Sequence, residues 1–416
     1  MAGKNLPRSP LAPKTFPKLP DIAGVTLHAV ETGSRYKGRR DLLLARLAPQ
    51  TSIAGVFTRS TMPSAAVDLC RQNLRASRGR AGAILVNAGI ANAFTGAAGA
   101  KAAQTVCQFV ADAQSIAPDR VYMASTGVIG QDLDPAPLTR GITSALSGRA
   151  SSWRHAAEAI CTTDTFAKAA SRTARLAGQT VTINMIAKGS GMIAPDMATM
   201  LAFGFTDAAL PPRVLQALLT DAANQSFNAV TVDGDMSTSD TVLLCATGQK
   251  PMQGSALRSA DDPRLAAFRK ALVAVMQDVA IQVASDGEGA QKLMTIDVTG
   301  AADDAAARRI GLAIGNSPLV KTAVAGEDAN WGRIVMAVGK SGEHADRDRL
   351  SIRIGGHQVA RKGRAVAGYD ERPVAKHMRG RQVHIAVDVG IGKGKSRVWA
   401  CDLTHGYISI NADYRS

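Results

Sequence analysis

Short apolar, β-rich segments alternate with alanine-rich segments of helical spacing along the whole chain, which restricts it to folds that layer helices on sheets. Val25–Val30, Leu42–Leu47, Ile53–Thr58 and Ala83–Asn87 are expected as strands, as are Val181–Ile186 and Met200–Phe205. The stretch from Gly99 to Ile116 is alanine-rich, with Val106, Phe109 and Val110 spaced along it, and is expected as a helix. Pro211 and Pro212 open another through Leu215, Leu218 and Leu219, because a proline in the first helical turn gives up no hydrogen bond. Asp262–Pro263 makes a cap and first-position pair. Leu265, Phe268, Leu272, Met276, Val279 and Val283 then recur at the spacing of a long helix. Around Arg381–Asp388, Val383, Ile385 and Val387 alternate with polar neighbours, the mark of a half-buried strand. No repeat and no long linker divides the chain. The expected class is α/β or α+β, with helices covering stacked sheets.

A chain of 416 residues, 46% hydrophobic and 20% charged, can bury a sizeable core and has the profile of a globular protein. No apolar run approaches the ~18 residues of a membrane span. Residues 1–20 are basic and punctuated by Pro7, Pro10, Pro13 and Pro17, which would break the amphipathic helix of an organelle presequence. They are expected as an extended arm, and the protein as cytoplasmic. Cys70, Cys107, Cys161, Cys245 and Cys401 lie far apart without a C-x-x-C pair, so no zinc site or other metal is expected. They read as buried free thiols. The net charge of +15 raises nucleic acid as a partner. The basic residues are scattered, however, and 4% aromatics are too few for a base-stacking platform. A solvated surface that attracts carboxylate substrates is the reading adopted, with no nucleic acid and no membrane partner.

The densest clue is Lys188-Gly-Ser-Gly-Met-Ile-Ala-Pro-Asp-Met-Ala-Thr-Met-Leu201, where two glycines and a proline interrupt a strand-like run. Such punctuation marks a loop where backbone comes close to something. Taken alone, it is also what a turn between strands looks like, with Met192, Met197 and Met200 as core filler. Gly189-x-Gly191-x-x-Ala194 matches a loose dinucleotide fingerprint, but Pro195 and Met197–Met200 open no amphipathic helix to receive a pyrophosphate. Gly394-Lys395-Ser396 and Gly339-Lys340-Ser341 both lack the earlier glycine of a phosphate-binding loop. The seven histidines fit no triad pattern, and no G-x-S-x-G elbow is present.

The stretch from Lys188 to Leu201 resembles the cleavage-site motif of the ornithine acetyltransferase family, the bifunctional glutamate N-acetyltransferases of arginine biosynthesis. The resemblance runs nearly end to end: Arg40-Asp-Leu, Ala54-Gly-Val-Phe-Thr58, Val86-Asn-Ala-Gly-Ile-Ala-Asn-Ala93, Ala124-Ser-Thr-Gly-Val-Ile-Gly130 and Thr162-Thr-Asp-Thr165 precede it. Thr231-Val-Asp-Gly-Asp235, Ser285-Asp-Gly-Glu-Gly-Ala290, Gly326-Glu-Asp-Ala-Asn-Trp-Gly-Arg333 and Ile410-Asn-Ala-Asp-Tyr-Arg-Ser416 come after it. Ala88 and Ile90 stand where the family usually carries polar residues, and Arg59 where asparagine is common.

The resemblance implies an N-terminal-nucleophile-type acyltransferase fold, cut between Ala198 and Thr199 into an α chain (1–198, with the arm and the oxyanion-hole half) and a β chain (199–416). The two would stay associated as α2β2. Thr199 would be the nucleophile, and Thr126 and Gly127 the oxyanion hole. Thr165, Lys188, Thr199, Glu288, Asn411 and Ser416 would bind substrate. Lys188 suits a carboxylate and Glu288 an amino group. Glu288 carries a hint of its own. It follows the C-terminal end of the long helix, where the dipole disfavours a negative charge, and glycines flank it. Asn411 and Ser416, read without the family, belong to a terminal strand. The implied reaction passes acetyl from N-acetylornithine to glutamate through an acetyl-Thr199 ester and needs no cofactor; acetyl-CoA is an alternative donor in some members. A related self-cleaving aminopeptidase or amidase, and a non-catalytic basic binding protein, are the other readings.

Overall fold

The strand-forming runs assemble into three sheets in the computed structural model, which describes residues 6–194, 200–252 and 254–412. A four-stranded sheet has the order Val25–Val30, Leu42–Leu47, Ala83–Ile90, Val121–Val128, its last pair parallel. A five-stranded sheet has the order Ser52–Phe57, Thr241–Lys250, Leu201–Ala208, Gln179–Lys188, Lys168–Leu176. It joins chain from both sides of residues 195–199: Leu201–Ala208 pairs with Gln179–Lys188, and Thr241–Lys250 with Ser52–Phe57. The third sheet has seven strands, with Gln382–Asp388, Leu293–Ala301 and Gly394–Cys401 at its centre.

Side-chain alternation stacks these sheets. Leu43, Ala45, Ile84 and Val86 face Ile186, Phe203, Phe205 and Leu243 across a shared core, where Trp153 meets Phe205 edge-on at 5.5 Å between ring centroids. The alternate residues Leu42, Leu44, Leu85 and Met123 face outward onto helices Ala65–Ala76, Gly96–Gln114 and Pro135–Ser147. On the far side of the five-stranded sheet, Val56, Ile183, Met185 and Leu244 meet helices Pro212–Asn224 and Ala266–Ser285; the latter and helix Asp304–Gly315 also cover the third sheet through Met294, Ile296 and Val398. The two stacked sheets are buried on both faces, so their strands read as nearly continuous apolar runs. The third sheet keeps one polar face, so its strands alternate. There the half-exposed His384 meets Asp297 at 2.7 Å, and Arg397 donates to the same carboxylate at 2.6 Å.

The expected elements are present, with shifts that have physical reasons. The strand expected to end at Asn87 runs on to Ile90, because Gly89 pairs in parallel register with Gly127. Asp262 caps a short 3-10 turn, accepting from the Arg264 N–H at 3.0 Å, before the long helix proper begins at Ala266. The terminal segment is a helix, His405–Asn411, capped by Thr404, and not a strand. Residues 6–20 of the arm form neither helix nor strand and are packed: Phe16 and Leu19 join the core between the sheets, and Asn184 donates to the Pro20 carbonyl at 2.6 Å. All five cysteines are buried free thiols, and burial pushes Cys70 up to about 12. Among the described residues no helix is long and apolar enough to cross a membrane.

One buried ionic group ties these layers together. Lys168, fully buried at the start of its strand, donates to Asp164 at 2.6 Å and to Asp286 at 2.5 Å. Asp286 ends the long helix. Burial favours the neutral carboxyls, but for Asp164 the ammonium of Lys168, aided by Lys188 and the Gly189 N–H, holds the group well below the usual carboxylate range. Burial wins at Asp286, which also feels Asp164, and its carboxyl is raised. Thr165 donates to Asp286 through its N–H at 2.9 Å and through its hydroxyl. Ser9 of the arm donates its N–H to Thr165 Oγ1 at 2.9 Å and its hydroxyl to the Ser285 carbonyl at 2.6 Å. Removing the lysine strands two buried carboxylates. Lys168→Ala is therefore expected to cost about 3–5 kcal/mol in urea unfolding; a loss under about 1 kcal/mol would show that the group contributes little.

Candidate active site

The two strand ends Thr126–Val128 and Ala187–Lys188, the turn Gly189–Ile193 and the end of the terminal helix enclose a cavity of about 300 Å³. Its wall includes Thr126, Gly127, Lys188, Glu288 and Asn411, drawn from widely separated parts of the chain. Met200 and Leu201, the residues directly after 195–199, line it too.

Thr126 and Lys188 meet directly, the lysine Nζ donating to Thr126 Oγ1 at 3.0 Å. An ammonium can only donate, so the threonine oxygen accepts and its own proton is free to point elsewhere. The cavity is where a guest oxygen would find it. Gly127 sits beside it at φ +131°, a conformation side chains rarely adopt, and a Cβ there would overlap the Gly89 carbonyl on the neighbouring strand. The glycine is thus required by the pairing of the two strands. Thr126 and Gly127 form a corner of the cavity wall with one hydroxyl whose proton is free.

Glu288 supplies the opposite wall. The helix Ala266–Ser285 ends just before it, and Gly287 and Gly289 permit the turn: a Cβ on Gly287 would lie 2.6 Å from Cys401 Sγ, and one on Gly289 would overlap the Tyr407 N–H. The Glu288 N–H donates to the Ser190 carbonyl at 2.9 Å, and a side chain on Gly191 would overlap its carboxylate. Burial raises its carboxyl above the usual range, against the pull of hydrogen bonds from Asn411, at 2.8 Å, and Thr163. A buried carboxylate with amide and hydroxyl donors but no ion pair among the described residues is shaped to receive an ammonium group.

The turn leading to residues 195–199 is fixed from below. Asp233 accepts from the Met192 and Ile193 N–H groups at 2.6 and 2.8 Å, and the Ile193 carbonyl accepts from the Val232 N–H at 2.7 Å. Beyond residue 199, the Met200 carbonyl accepts from the Thr241 N–H at 3.0 Å. Ala198, Thr199 and Ser416 lie outside the described residues.

Five of the residues expected from the sequence thus meet in one cavity, while Thr165 stands on the other side of its wall, engaged with Asp286 and Ser9. Thr162 and Thr163 line the cavity in its place, Thr163 sharing a 2.6 Å hydrogen bond with Ser190. They belong to the same Thr-Thr-Asp-Thr run, but nothing in the spacing says which threonine faces inward. The polar run Ser237–Asp240, on the cavity rim, reads in sequence only as a loop. Ala88 and Ile90 turn into the packing and do not line the cavity. Among the described residues no cluster of three or more histidine, cysteine or acidic side chains could hold a metal ion.

A lysine-bound hydroxyl and a buried carboxylate in the wall of one cavity are the equipment of an enzyme that acts on a small polar molecule. The chain belongs to the ArgJ family, whose model matches residues 26–416. It is 53% identical over 414 residues to the arginine biosynthesis bifunctional protein ArgJ of Gluconobacter oxydans, covering 99% of this chain and 96% of that one. The protein of the same name from Agrobacterium fabrum is 51% identical over 411 residues, 98% and 99% of the two chains. The crystal structure of ArgJ from Bacillus halodurans is 41% identical over 51% of this chain and 99% of that chain, with a TM-score of 0.49.

Asn411 stabilises the charged form of Glu288. In Asn411→Ala the Glu288 carboxyl is expected to titrate at higher pH than in the unchanged protein, followed by carbon-13 NMR of labelled glutamate. An equal or lower midpoint would remove Asn411 from that role.

Proposed function

We propose that this chain acts in arginine biosynthesis as a self-processing acetyltransferase, carrying acetyl from N-acetylornithine to glutamate on Thr199. The observation that carries the reading is the Lys188–Thr126 contact, which frees the Thr126 proton for an oxyanion in a cavity lined by Met200, the residue after Thr199.

In the first step the Thr199 hydroxyl attacks the Ala198 carbonyl carbon. The C–N bond breaks, the nitrogen takes the proton, and an ester remains. Water cleaves the ester to an Ala198 carboxylate and a free Thr199. Its α-amine has a reference pKa of roughly 8, so it is partly neutral near pH 7 and accepts the proton of its own hydroxyl. As an amide it had no such basicity, so processing switches the nucleophile on. The resulting chains 1–198 and 199–416 would stay together, since the five-stranded sheet draws hydrogen-bonded strands from both. Two such pairs would make the α2β2 assembly.

Thr199 then attacks the acetyl carbonyl of N-acetylornithine, with the oxyanion held by the Thr126 hydroxyl and the Gly127 N–H. Collapse releases ornithine, whose departing amine takes a proton, and leaves acetyl-Thr199. Glutamate attacks the ester through its neutral amine; the acyl C–O bond breaks, the Thr199 oxygen takes the proton the amine loses, and N-acetylglutamate leaves. Glu288 and Asn411 receive the substrate amino group that does not carry the acetyl, the side-chain ammonium of N-acetylornithine, with Ser416 completing that end. Thr165 supports the wall between Thr163 and Asp286. One amide replaces another, so neither nucleotide triphosphate nor cofactor enters the balance; acetyl-CoA would load the same Thr199.

Intact mass spectrometry of the denatured protein should find two chains meeting at Ala198 and Thr199, and one chain in Thr199→Ala. A single chain in both would end the self-processing reading. Thr126→Val, which keeps the shape and removes the hydroxyl, should lower the rate of acetyl exchange between N-acetylornithine and glutamate by about 100-fold or more. Steady acetate release without glutamate would mark a hydrolase instead.

The raised carboxyl of Glu288 sets a pH dependence. Its charged form binds an ammonium, so kcat/KM should fall with decreasing pH through a midpoint above that of an ordinary glutamate. Glu288→Gln should lower kcat/KM and abolish that limb; an unaltered limb would assign it to another group.

A further inference from the structure

A second and larger cavity, of about 700 Å³, lies behind the candidate active site, on the other face of the Thr162–Thr165 segment. The arm, the loop at residues 38–40 and the helix Trp153–Ala159 enclose it over a floor of Asp164, Thr165 and Gln282. Five cationic side chains line it: Arg8 and Lys14 from the arm, Arg39 and Arg40 from the loop, and Arg154 from the helix. Two carboxylates oppose them, and both are taken. Glu158 pairs with Arg154 at 2.9 Å, and Asp164 belongs to the buried group around Lys168. Arg39 lies over the Tyr36 ring at 4.3 Å, and Arg8 donates to the Pro13 carbonyl at 2.6 Å. Neither Lys14 nor Arg40 has a hydrogen-bonding or ionic partner among the described residues. The proposed acetyl transfer uses none of these five groups.

We propose that this cavity is a binding site for a small anion bearing two or more phosphate groups. Like charges from three chain segments around one concavity repel one another; Arg8, Lys14, Arg40 and Arg154 are exposed, so an anion from solvent can reach them, and the arrangement favours a guest that neutralises several at once. The cations converge from the arm, the loop and the helix, hence from different directions. A tetrahedral phosphate accepts from several directions, whereas a planar carboxylate offers its two oxygens along one edge; the guanidinium fork matches phosphate well. A glutamate- or ornithine-sized molecule would leave most of 700 Å³ unfilled. The volume falls in the range of sites that hold nucleotide-sized ligands, and Phe16 and Phe166 give the wall an apolar portion. The arm forms one side of this cavity and is tied through Ser9 to Thr165 and Ser285, so the guest would rest on the segment whose other face lines the candidate active site.

The test uses the mature full-length protein, inorganic pyrophosphate as the probe and isothermal titration calorimetry in about 0.15 M KCl. One pyrophosphate per chain is expected. The double variant Lys14→Gln/Arg40→Gln should weaken binding at least tenfold. Arg347→Gln/Arg364→Gln, which removes two exposed charges on a distant surface, should change it less than twofold. Unchanged thermal unfolding would certify that both variants are folded. Absence of one-to-one binding, equal losses in the two double variants, or citrate binding as tightly as pyrophosphate would each overturn the proposal. The acetyl-exchange reading is judged by Thr199→Ala and Thr126→Val, so the two can fail separately.

Discussion

The buried ammonium of Lys168 is the contact on which the site's geometry depends. Two carboxylates share it, so the group carries a net negative charge in the interior. Such a charge persists only where dipoles and hydrogen bonds surround it. The N–H groups of Thr162 and Gly189 point at Asp164, at 3.0 and 2.6 Å, and Thr165 serves Asp286 twice. Each of these bonds fixes backbone. The Gly189 bond sets the start of the turn that carries Ser190 and Gly191 toward Glu288. The Asp286 contact sets the end of the long helix from which Glu288 follows. Lys188, the residue that donates to Thr126, in turn helps hold Asp164 in its charged form.

Close backbone approach does the rest. Glu288 fits against the turn only because residue 191 has no side chain, and Thr126 reaches its position only because residues 89 and 127 can lie against each other. The terminal helix crosses over Gly289, which brings Asn411 within 2.8 Å of the Glu288 carboxylate. These glycines are not interchangeable with other loop glycines. Gly130 and Gly96 also have positive φ, but nothing lies within 4 Å of a Cβ there, so only their backbone conformation is demanded.

The layering was legible because burial leaves a period in the sequence. Leu42–Leu47 and Ala83–Ile90, covered on both faces, are apolar nearly throughout; Gln382–Asp388, with one polar face, alternates. Glu288 was legible as an anomaly, an acid placed where a helix end disfavours one. What pattern could not reach was assembly. Asp164 and Lys168 are four apart but not on a helix, and their partner Asp286 is 118 residues beyond the lysine. Thr163 and Thr165 look alike in sequence; the pairing of Thr165 with Asp286 turns it outward and leaves Thr163 at the cavity. Asn411 misled because Ile408 and Ile410 alternate with polar residues as in a strand, whereas Thr404 caps a helical turn there.

The segment at 195–199 is bracketed by two anchors of different kinds. On its N-terminal side, Asp233 takes the N–H groups of Met192 and Ile193, while Val232 donates back to Ile193. On its C-terminal side, Met200 and Leu201 lead into the five-stranded sheet, Leu201 opposite Lys188 on one side and Thr241 on the other. Both anchors fix described backbone at the wall of the cavity that Thr126 and Gly127 line. If the bond between Ala198 and Thr199 breaks there, neither anchor is released, because both are made of hydrogen bonds that do not run through that bond. Under the proposed function the corner of Thr126 and Gly127 would then stay in place throughout, and a single preorganised corner would serve both the cutting of the chain and the acyl transfer.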